Sequence, residues 1–321
     1  MSGASIGRGF VRSSLLCALI VSTFQPVSAR DESLLCVFCR DTPQLRLILN
    51  VAHAGASSVA PQNTMAAGRA AFNLGADVWG VDVRGTRDGV LVLMHDETLE
   101  RTTDAEEVLP FRAPWRVADF RFDEIRTLDA GSWFLEEDPF GRIAEREVAD
   151  DALASYAGEP VPTLREALDF VAEKDWLIDI EIKTPKDGEH GAVAERLVTL
   201  IEETNTANLV LVSSFDHDFL REVRELNPAI PIGALSIFLP FGPLEYLRAL
   251  DVDVYLPSVV GFTDELLAEL EKEGIKVIVW TYNATEQLEH AIDLLGVDGI
   301  YTDFPQRLTA LLESHVEEAV P

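Results

Sequence analysis

Positive charge is scarce in this 321-residue chain, where 26 lysines and arginines face 55 aspartates and glutamates for a formal net charge of −29. So acidic a surface repels nucleic acid and anionic membranes at long range. No nucleic-acid partner is therefore expected, and a small anionic ligand would need cations placed locally for it. Cysteine is almost absent, with three in all. Cys36 and Cys39 form one C-x-x-C pair, and with no second pair this is weak ground for a zinc or redox site. The pair is read as structural or incidental, with a local disulfide open to it in an oxidising compartment. Long apolar runs are missing too, since Leu15–Val21 is too short to cross a bilayer. No repeat or low-complexity tract breaks the sequence.

What is present begins with the layout of a processing signal: residues 1–29 carry Arg8 and Arg12, no acid, the Leu15–Val21 run and then Val27-Ser28-Ala29. This suits a secretory signal cleaved after Ala29, giving a secreted or periplasmic protein with no stable membrane anchor. Cleavage would remove Cys17 and two positive charges, moving the net charge from −29 to −31. Residues 30–44 form an N-terminal segment, and residues 45–321 are expected to be one domain. A content of 47% hydrophobic residues can bury a large core, and about 250 residues is typical of a single α/β barrel.

Short apolar strand candidates alternate with helical stretches, as a parallel α/β architecture requires. The strands are Leu45–Ala52, Asp77–Val83, Val90–Met94, Trp176–Ile182, Leu209–Ser213, Ile232–Leu235, Val252–Leu256, Ile275–Trp280 and Val297–Tyr301. That is one more than the eight staves of a TIM (β/α)8 barrel. The turn Thr86-Arg87-Asp88-Gly89 is too short for a crossover helix, so one strand near it should be peripheral. Helical periodicity covers Met65–Asn73, Leu164–Glu173, Ala192–Thr204, Asp218–Glu225, Asp264–Glu273, Thr285–Leu295 and Arg307–Val316, with Thr163, Thr263 and Thr285 as capping residues. Residues 96–162, charged and aromatic, read as an insertion after the third strand that forms a lid or wall at one end of the barrel.

In such a barrel the reacting groups stand at the C-terminal ends of the strands. His53 and His95 each end an apolar run, and imidazoles are the natural acid and base near neutral pH. Alternation along Asp179-Ile180-Glu181-Ile182-Lys183 puts the charged residues on one face and the isoleucines on the other. Glu181 and Asp82 could hold a hard cation such as Ca²⁺ or Mg²⁺, and Lys183 could neutralise an anion beside it; a purely structural Glu181–Lys183 pair is the alternative. Trp280 is a candidate substrate wall or a core residue. His190, His217, His290 and His315 have no metal-ligand partner at useful spacing.

Taken in order, the motifs His53-Ala54-Gly55, Pro61-Gln62-Asn63-Thr64, Gly80-Val81-Asp82, His95-Asp96, Gly131-Ser132-Trp133-Phe134, Pro162-Thr163-Leu164, Glu181-Ile182-Lys183, Ser213-Ser214-Phe215-Asp216, Trp280-Thr281-Tyr282-Asn283 and Thr302-Asp303-Phe304-Pro305 resemble the glycerophosphodiester phosphodiesterase family. The resemblance implies a metal-dependent hydrolase on a TIM barrel that cleaves glycerophosphodiesters to glycerol 3-phosphate and an alcohol. It implies His53 and His95 as acid and base, Asp82 and Glu181 as ligands of Ca²⁺ or Mg²⁺, and Lys183 as a phosphate-binding residue. Three positions depart from the family pattern. Ala54 stands where the family has a phosphate-binding Arg, Gly80 where it has a metal-binding Glu, and Gln62 where its Pro-Glu-Asn-Thr motif has Glu. Arg84 and Asp179 are candidates to compensate, and the small Ala54 and Gly80 are expected to enlarge the pocket. Alternative readings are a degenerate barrel that binds a phosphodiester or another ligand without turnover, and a hydrolase of altered, lysophospholipid-like substrate range.

Overall fold

A computed structural model describes residues 48–183, 190–294 and 296–319. The signal-like residues 1–29, the segment 30–44 and the Cys36–Cys39 pair lie outside these described residues. Nine strands are present among them: β1 (Leu49–Ala52), β2 (Val78–Gly85), β3 (Leu91–Leu93), β4 (Leu177–Ile182), β5 (Val210–Ser214), β6 (Ile232–Ser236), β7 (Val254–Pro257), β8 (Lys276–Val279) and β9 (Gly299–Thr302). All but β3 join in parallel, and β1 pairs with both β2 and β9, so eight strands close on themselves. The fold is a TIM barrel.

The supernumerary strand is accounted for by the length of β2. At its start, Val78 and Trp79 pair with β1; at its end, Val83 to Gly85 pair antiparallel with β3, while β4 runs along its other edge. The strand thus outlasts β1 and carries a hairpin above the barrel, which is why a turn of a few residues suffices there.

Alternation sorts each stave's side chains into two cores. Leu49, Val51, Val78, Leu177, Leu211, Val254, Leu256 and Ile278 fill the barrel interior. Trp79, Val81, Ile178, Ile180, Val210, Val212, Val277 and Ile300 face outward into the helical layer. Because both faces are buried, the strands read as nearly continuous apolar runs, and a polar inward residue stands out. The helices match the expected ones to within a few residues, with Met65–Asn73, Leu164–Lys174, His190–Glu203, His217–Leu226, Asp264–Glu273, Thr285–Asp293 and Pro305–Ala319. One more, Pro243–Leu250, escaped the periodicity; it is only eight residues long. Thr163 and Thr263 cap as expected, whereas Ala284 holds the N-cap position at the next candidate and Thr285 is already helical.

Residues 96–162 contain four short helices, Ala105–Val108, Phe122–Ile125, Ser132–Glu137 and Asp150–Tyr156. They are held by two small cores of their own. One joins Leu99, Phe120, Ile125 and Leu128 to Val92 and Met94, and the other sets Phe134 and Tyr156 against Ala60 and Ala67.

The turn after β1 depends on one glycine. Gly55 has φ +87°, and a Cβ there would lie 2.6 Å from the Ala67 Cβ and 2.7 Å from the Ala67 carbonyl carbon, so the Met65–Asn73 helix can approach only a glycine. Gly55→Ala should therefore destabilise the fold by about 2 kcal/mol or more, combining left-handed strain with overpacking. A drop of several degrees in the thermal unfolding midpoint checks this, and an unchanged midpoint contradicts it.

Candidate active site

The first histidine follows β1 and is fixed from β9. His53 Nδ1 lies 2.8 Å from Asp303 Oδ1, and Asp303 is itself held by Ser57 Oγ at 2.9 Å and Asn283 Nδ2 at 2.6 Å. With Nδ1 engaged in this way, Nε2 is the ring nitrogen left for a ligand. Burial opposes a charge on the imidazole, but Asp303, Asp82 and Glu181 outweigh it and raise its pKa above the ordinary value. Burial likewise opposes charge on Asp303, and the bond to His53 overcomes it, leaving the carboxyl below its usual range.

The centre of the site is a charge cluster on β2 and β4. Asp82 and Glu181 are register partners on these neighbouring strands, both inward-facing and near the C-terminal end. Lys183 Nζ bridges them, 2.8 Å from Asp82 Oδ1 and 2.5 Å from Glu181 Oε1. Asp82 is almost fully buried; burial works against its charge, but Lys183 and both imidazoles hold its carboxyl well below the carboxylate range. Glu181 goes the other way, pushed up by burial and by the Asp82 charge. For Lys183 the desolvation cost is exceeded by the two carboxylates, and its pKa rises. Asn63 completes the clamp, donating from Nδ2 to Asp82 Oδ2 at 2.7 Å and accepting the Asp82 backbone N–H at 3.0 Å.

His95 leaves the end of β3 and is backed by its own acid. Its Nδ1 is 2.7 Å from Asp96 Oδ1, and Arg101 grips Asp96 through Nε at 2.5 Å and a terminal nitrogen at 3.0 Å. Beside it, Arg84 donates from Nε to the His95 carbonyl at 2.9 Å. Among the described residues the rest of this guanidinium makes no further hydrogen bond, although Glu97, Asp82, Asp96 and Glu181 attract its charge. It lines a cleft of about 740 Å³ together with Glu181, Lys183 and Phe215, walled by Glu97 and residues 116–119 of the segment after β3.

One layer deeper, Asp179 donates nothing to this cluster. It accepts from Ser213 Oγ at 2.7 Å and from the Tyr301 hydroxyl in a very short bond, and burial pushes its pKa up to about 7. Trp280 stands at the end of β8, half-buried, with its indole N–H given to the Leu256 carbonyl at 2.8 Å and its ring edge-on to Phe215 at 5.6 Å. His217 is bonded to Tyr246 and the Leu235 carbonyl, and His190 to Asp216, both away from the Asp82 cluster.

Hard oxygen donors are thus present for a divalent cation, in the form of Asp82 and Glu181, with an ammonium between them. Among the described residues no set of three or more histidine, cysteine or carboxylate side chains is arranged to hold a metal. The family profile described as the Glycerophosphoryl diester phosphodiesterase family matches residues 53–307, from the first histidine to the last helix. The chain belongs to this family. Glycerophosphoryl diester phosphodiesterases are hydrolases, and two relatives of that activity are similar over most of their length. One, from Caldanaerobacter subterraneus subsp. tengcongensis, is 37% identical over 264 residues, covering 82% of this chain and 97% of the relative. Another, from Bacillus altitudinis, is 31% identical over 265 residues, with coverage of 82% and 97%. A phosphodiesterase of Oleispira antarctica, solved with the product sn-glycerol-3-phosphate, superposes with a TM-score of 0.70 at 25% identity, covering 84% of this chain and 97% of that one.

Within this glycerophosphodiester phosphodiesterase frame the departures acquire physical reasons. A Cβ at Gly80 would fall 2.8 Å from Tyr301 Cε1, so the space expected to widen the pocket is filled by that ring. Asp179, expected as a substitute for the missing acid, is committed to Tyr301 and Ser213. Ala54 adopts φ +54° and is buried, and its carbonyl accepts the Asn63 N–H at 2.9 Å. Position 54 therefore brings no charge to the site, while Arg84 does. Asn63, Asp303 and Asn283 received no role from sequence reasoning, although all three lie inside motifs that it singled out. For Asp303 the available signal was a carboxylate immediately after the end of β9.

Asp179 gives a pH test. Its folded pKa, about 7, lies above the ordinary 3.8, so the native state holds the extra proton between these values. The stability this contributes is complete below pH 4 and is lost as pH rises to 7. Asp179→Asn should remove that slope and exceed the parent in stability at pH 8, as read by denaturant midpoints from pH 4 to 8. Parallel pH profiles would sink the assignment.

Proposed function

We propose that the chain hydrolyses glycerophosphodiesters to glycerol 3-phosphate and an alcohol, with His53 and His95 as the acid and base. The observation that carries this reading is the convergence of two carboxylate-backed imidazoles on one Asp82–Lys183–Glu181 cluster at the C-terminal end of the barrel. His53, whose proton affinity is raised by Asp303, protonates the leaving oxygen. His95, backed by Asp96, takes a proton from the attacking water, whose oxygen forms the new P–O bond as the bond to the leaving alcohol breaks. Lys183 and Arg84 face the phosphate and stabilise charge on its oxygens, and Arg84 supplies the guanidinium that position 54 lacks. The product bound to the Oleispira antarctica protein, sn-glycerol-3-phosphate, is the product assigned here. Trp280 with Phe215 forms the wall for the glycerol side.

A Ca²⁺ or Mg²⁺ ion would be held by Asp82 and Glu181 and would supply further electrostatic stabilisation of the phosphorane. Its binding is weak, because two carboxylates are few ligands and the Lys183 ammonium competes for them. The same self-neutralised cluster favours, as a second reading, a barrel that binds a phosphodiester without turnover. Export of the protein is proposed on the signal-like residues 1–29.

The parent chain is expected to release glycerol 3-phosphate from glycerophosphocholine and glycerophosphoethanolamine, and His53→Ala and His95→Ala should each cost on the order of 10²–10⁴-fold in rate. Binding of substrate with no release above these variants would decide for the second reading.

Metal titration is checked by calorimetry. Ca²⁺ or Mg²⁺ should bind in the millimolar range, Asp82→Asn should abolish the heat, and Lys183→Met should tighten binding by about tenfold or more as the competing ammonium is removed. Loosened binding in Lys183→Met would contradict the competition.

A further inference from the structure

The aim of the first histidine depends on an amide that touches neither the imidazole nor the Asp82 cluster. Asn283, on the turn after β8, closes a two-point clamp on Asp303. Its Oδ1 accepts the Asp303 backbone N–H at 2.9 Å, and its Nδ2 donates to Asp303 Oδ2 at 2.6 Å. The other carboxylate oxygen, Oδ1, is the one that meets His53 Nδ1 and Ser57 Oγ. With its backbone and one oxygen fixed from Asn283, Asp303 presents the second oxygen to the imidazole in one orientation, which leaves Nε2 directed at the site.

Asn283 is itself braced, and the brace leads to the segment after β3. Arg307 donates from a terminal nitrogen to the Asn283 carbonyl at 3.0 Å, and its guanidinium lies over the Phe304 ring at 3.8 Å from the centroid. Phe304, buried, meets Phe140 edge-on with ring centroids 5.4 Å apart. Phe140 sits in a turn that Asp138 organises, its carboxylate accepting the Ile143 and Ala144 N–H groups at 3.0 and 2.9 Å. The Phe140 carbonyl also accepts from Arg142 Nε at 2.9 Å. The segment that carries His95 at its root therefore reaches the His53 side of the site as well, through packed rings rather than through the cleft.

We infer that Asn283 is a positioning residue for His53, acting through Asp303, and that Phe140 braces it from the segment after β3. The kinetic consequence rests on the phosphodiesterase reading above, whereas the hold on the imidazole does not require turnover. The charged groups that face His53 are Asp303 beyond β9, Asp82 on β2 and Glu181 on β4, all favouring its proton, and the Tyr301 ring stands edge-on at 6.2 Å. Of these only the Asp303 contact is set by Asn283. Loosening it lowers the proton affinity of His53, and because His53 is assigned as the acid, the alkaline limb of the rate profile moves to lower pH.

The test uses the full chain and three neutral substitutions, Asn283→Ala, Phe140→Ala and, as a control on the same segment, Phe111→Ala, whose side chain is 97% exposed. Glycerophosphocholine turnover is measured against pH, and the His53 imidazole is titrated by NMR. Asn283→Ala should lower kcat by roughly tenfold or more with KM unchanged, and His53 should titrate at lower pH than in the parent. Phe140→Ala should move both readings in the same direction by less, and Phe111→Ala should match the parent. A fall in kcat with the His53 titration unmoved marks a merely structural loss and overturns the inference, as does a Phe140→Ala variant indistinguishable from Phe111→Ala. If Asn283→Ala fails to fold, the Phe140→Ala titration decides. A parent that releases no glycerol 3-phosphate overturns the phosphodiesterase reading, and the NMR titrations then decide the positioning role by themselves, a lowered midpoint supporting it and an unchanged one overturning it.

Discussion

Lys183 makes the rest of the site possible. Asp82 and Glu181 occupy adjacent register positions on β2 and β4, pointing into a barrel whose other inward residues are mostly aliphatic. Two carboxylates so placed repel each other and lose hydration, and neither could stay ionised there alone. The ammonium between them, with Asn63 on the remaining oxygen of Asp82, lets one acid remain firmly charged while the other is driven upward. That asymmetry spreads outward to His53, whose proton is favoured by Asp303, Asp82 and Glu181 together. The charge states of residues on three strands are thus coupled through this one cluster.

Much of this was legible in the sequence because both faces of the barrel are buried. Nine apolar runs stood out, and Asp82, Asp179 and Glu181 were conspicuous as polar interruptions at a period of two. His53 and His95 were found for the same reason, as polar ends of apolar runs. The peripheral strand could be foreseen from its short turn, though not that β2 itself forks to hold it. What stayed hidden depends on contacts across the fold. Asp303 is 250 residues from His53, Asn63 is 19 from Asp82, and Tyr301 meets Asp179 across 122 residues. Spacing along a chain carries no information about such partners.

The departures from the family pattern are each met by a neighbouring side chain in the packed barrel. The absence of a side chain at Gly80 is matched by the Tyr301 ring occupying that volume, and the ring's hydroxyl in turn requires an acceptor, which Asp179 provides. In this chain that layer is filled by the ring and held by a phenol–carboxyl pair. At Ala54 the loss concerns charge rather than volume, and Arg84 approaches the same cleft from another strand.

The segment after β3 has its two ends stapled together. The Leu93 N–H donates to the Pro162 carbonyl at 2.9 Å, and Val92 bridges Thr163, so the chain leaves and re-enters the barrel at almost one point. Closure of this long excursion is secured locally, and its helices rest largely on small cores of their own. The wall is therefore anchored at one point of the barrel and braced a second time against the helix after β1. Because His95, Asp96 and Arg101 stand at its root, the segment that walls the cleft also sets the surroundings of the His95 imidazole.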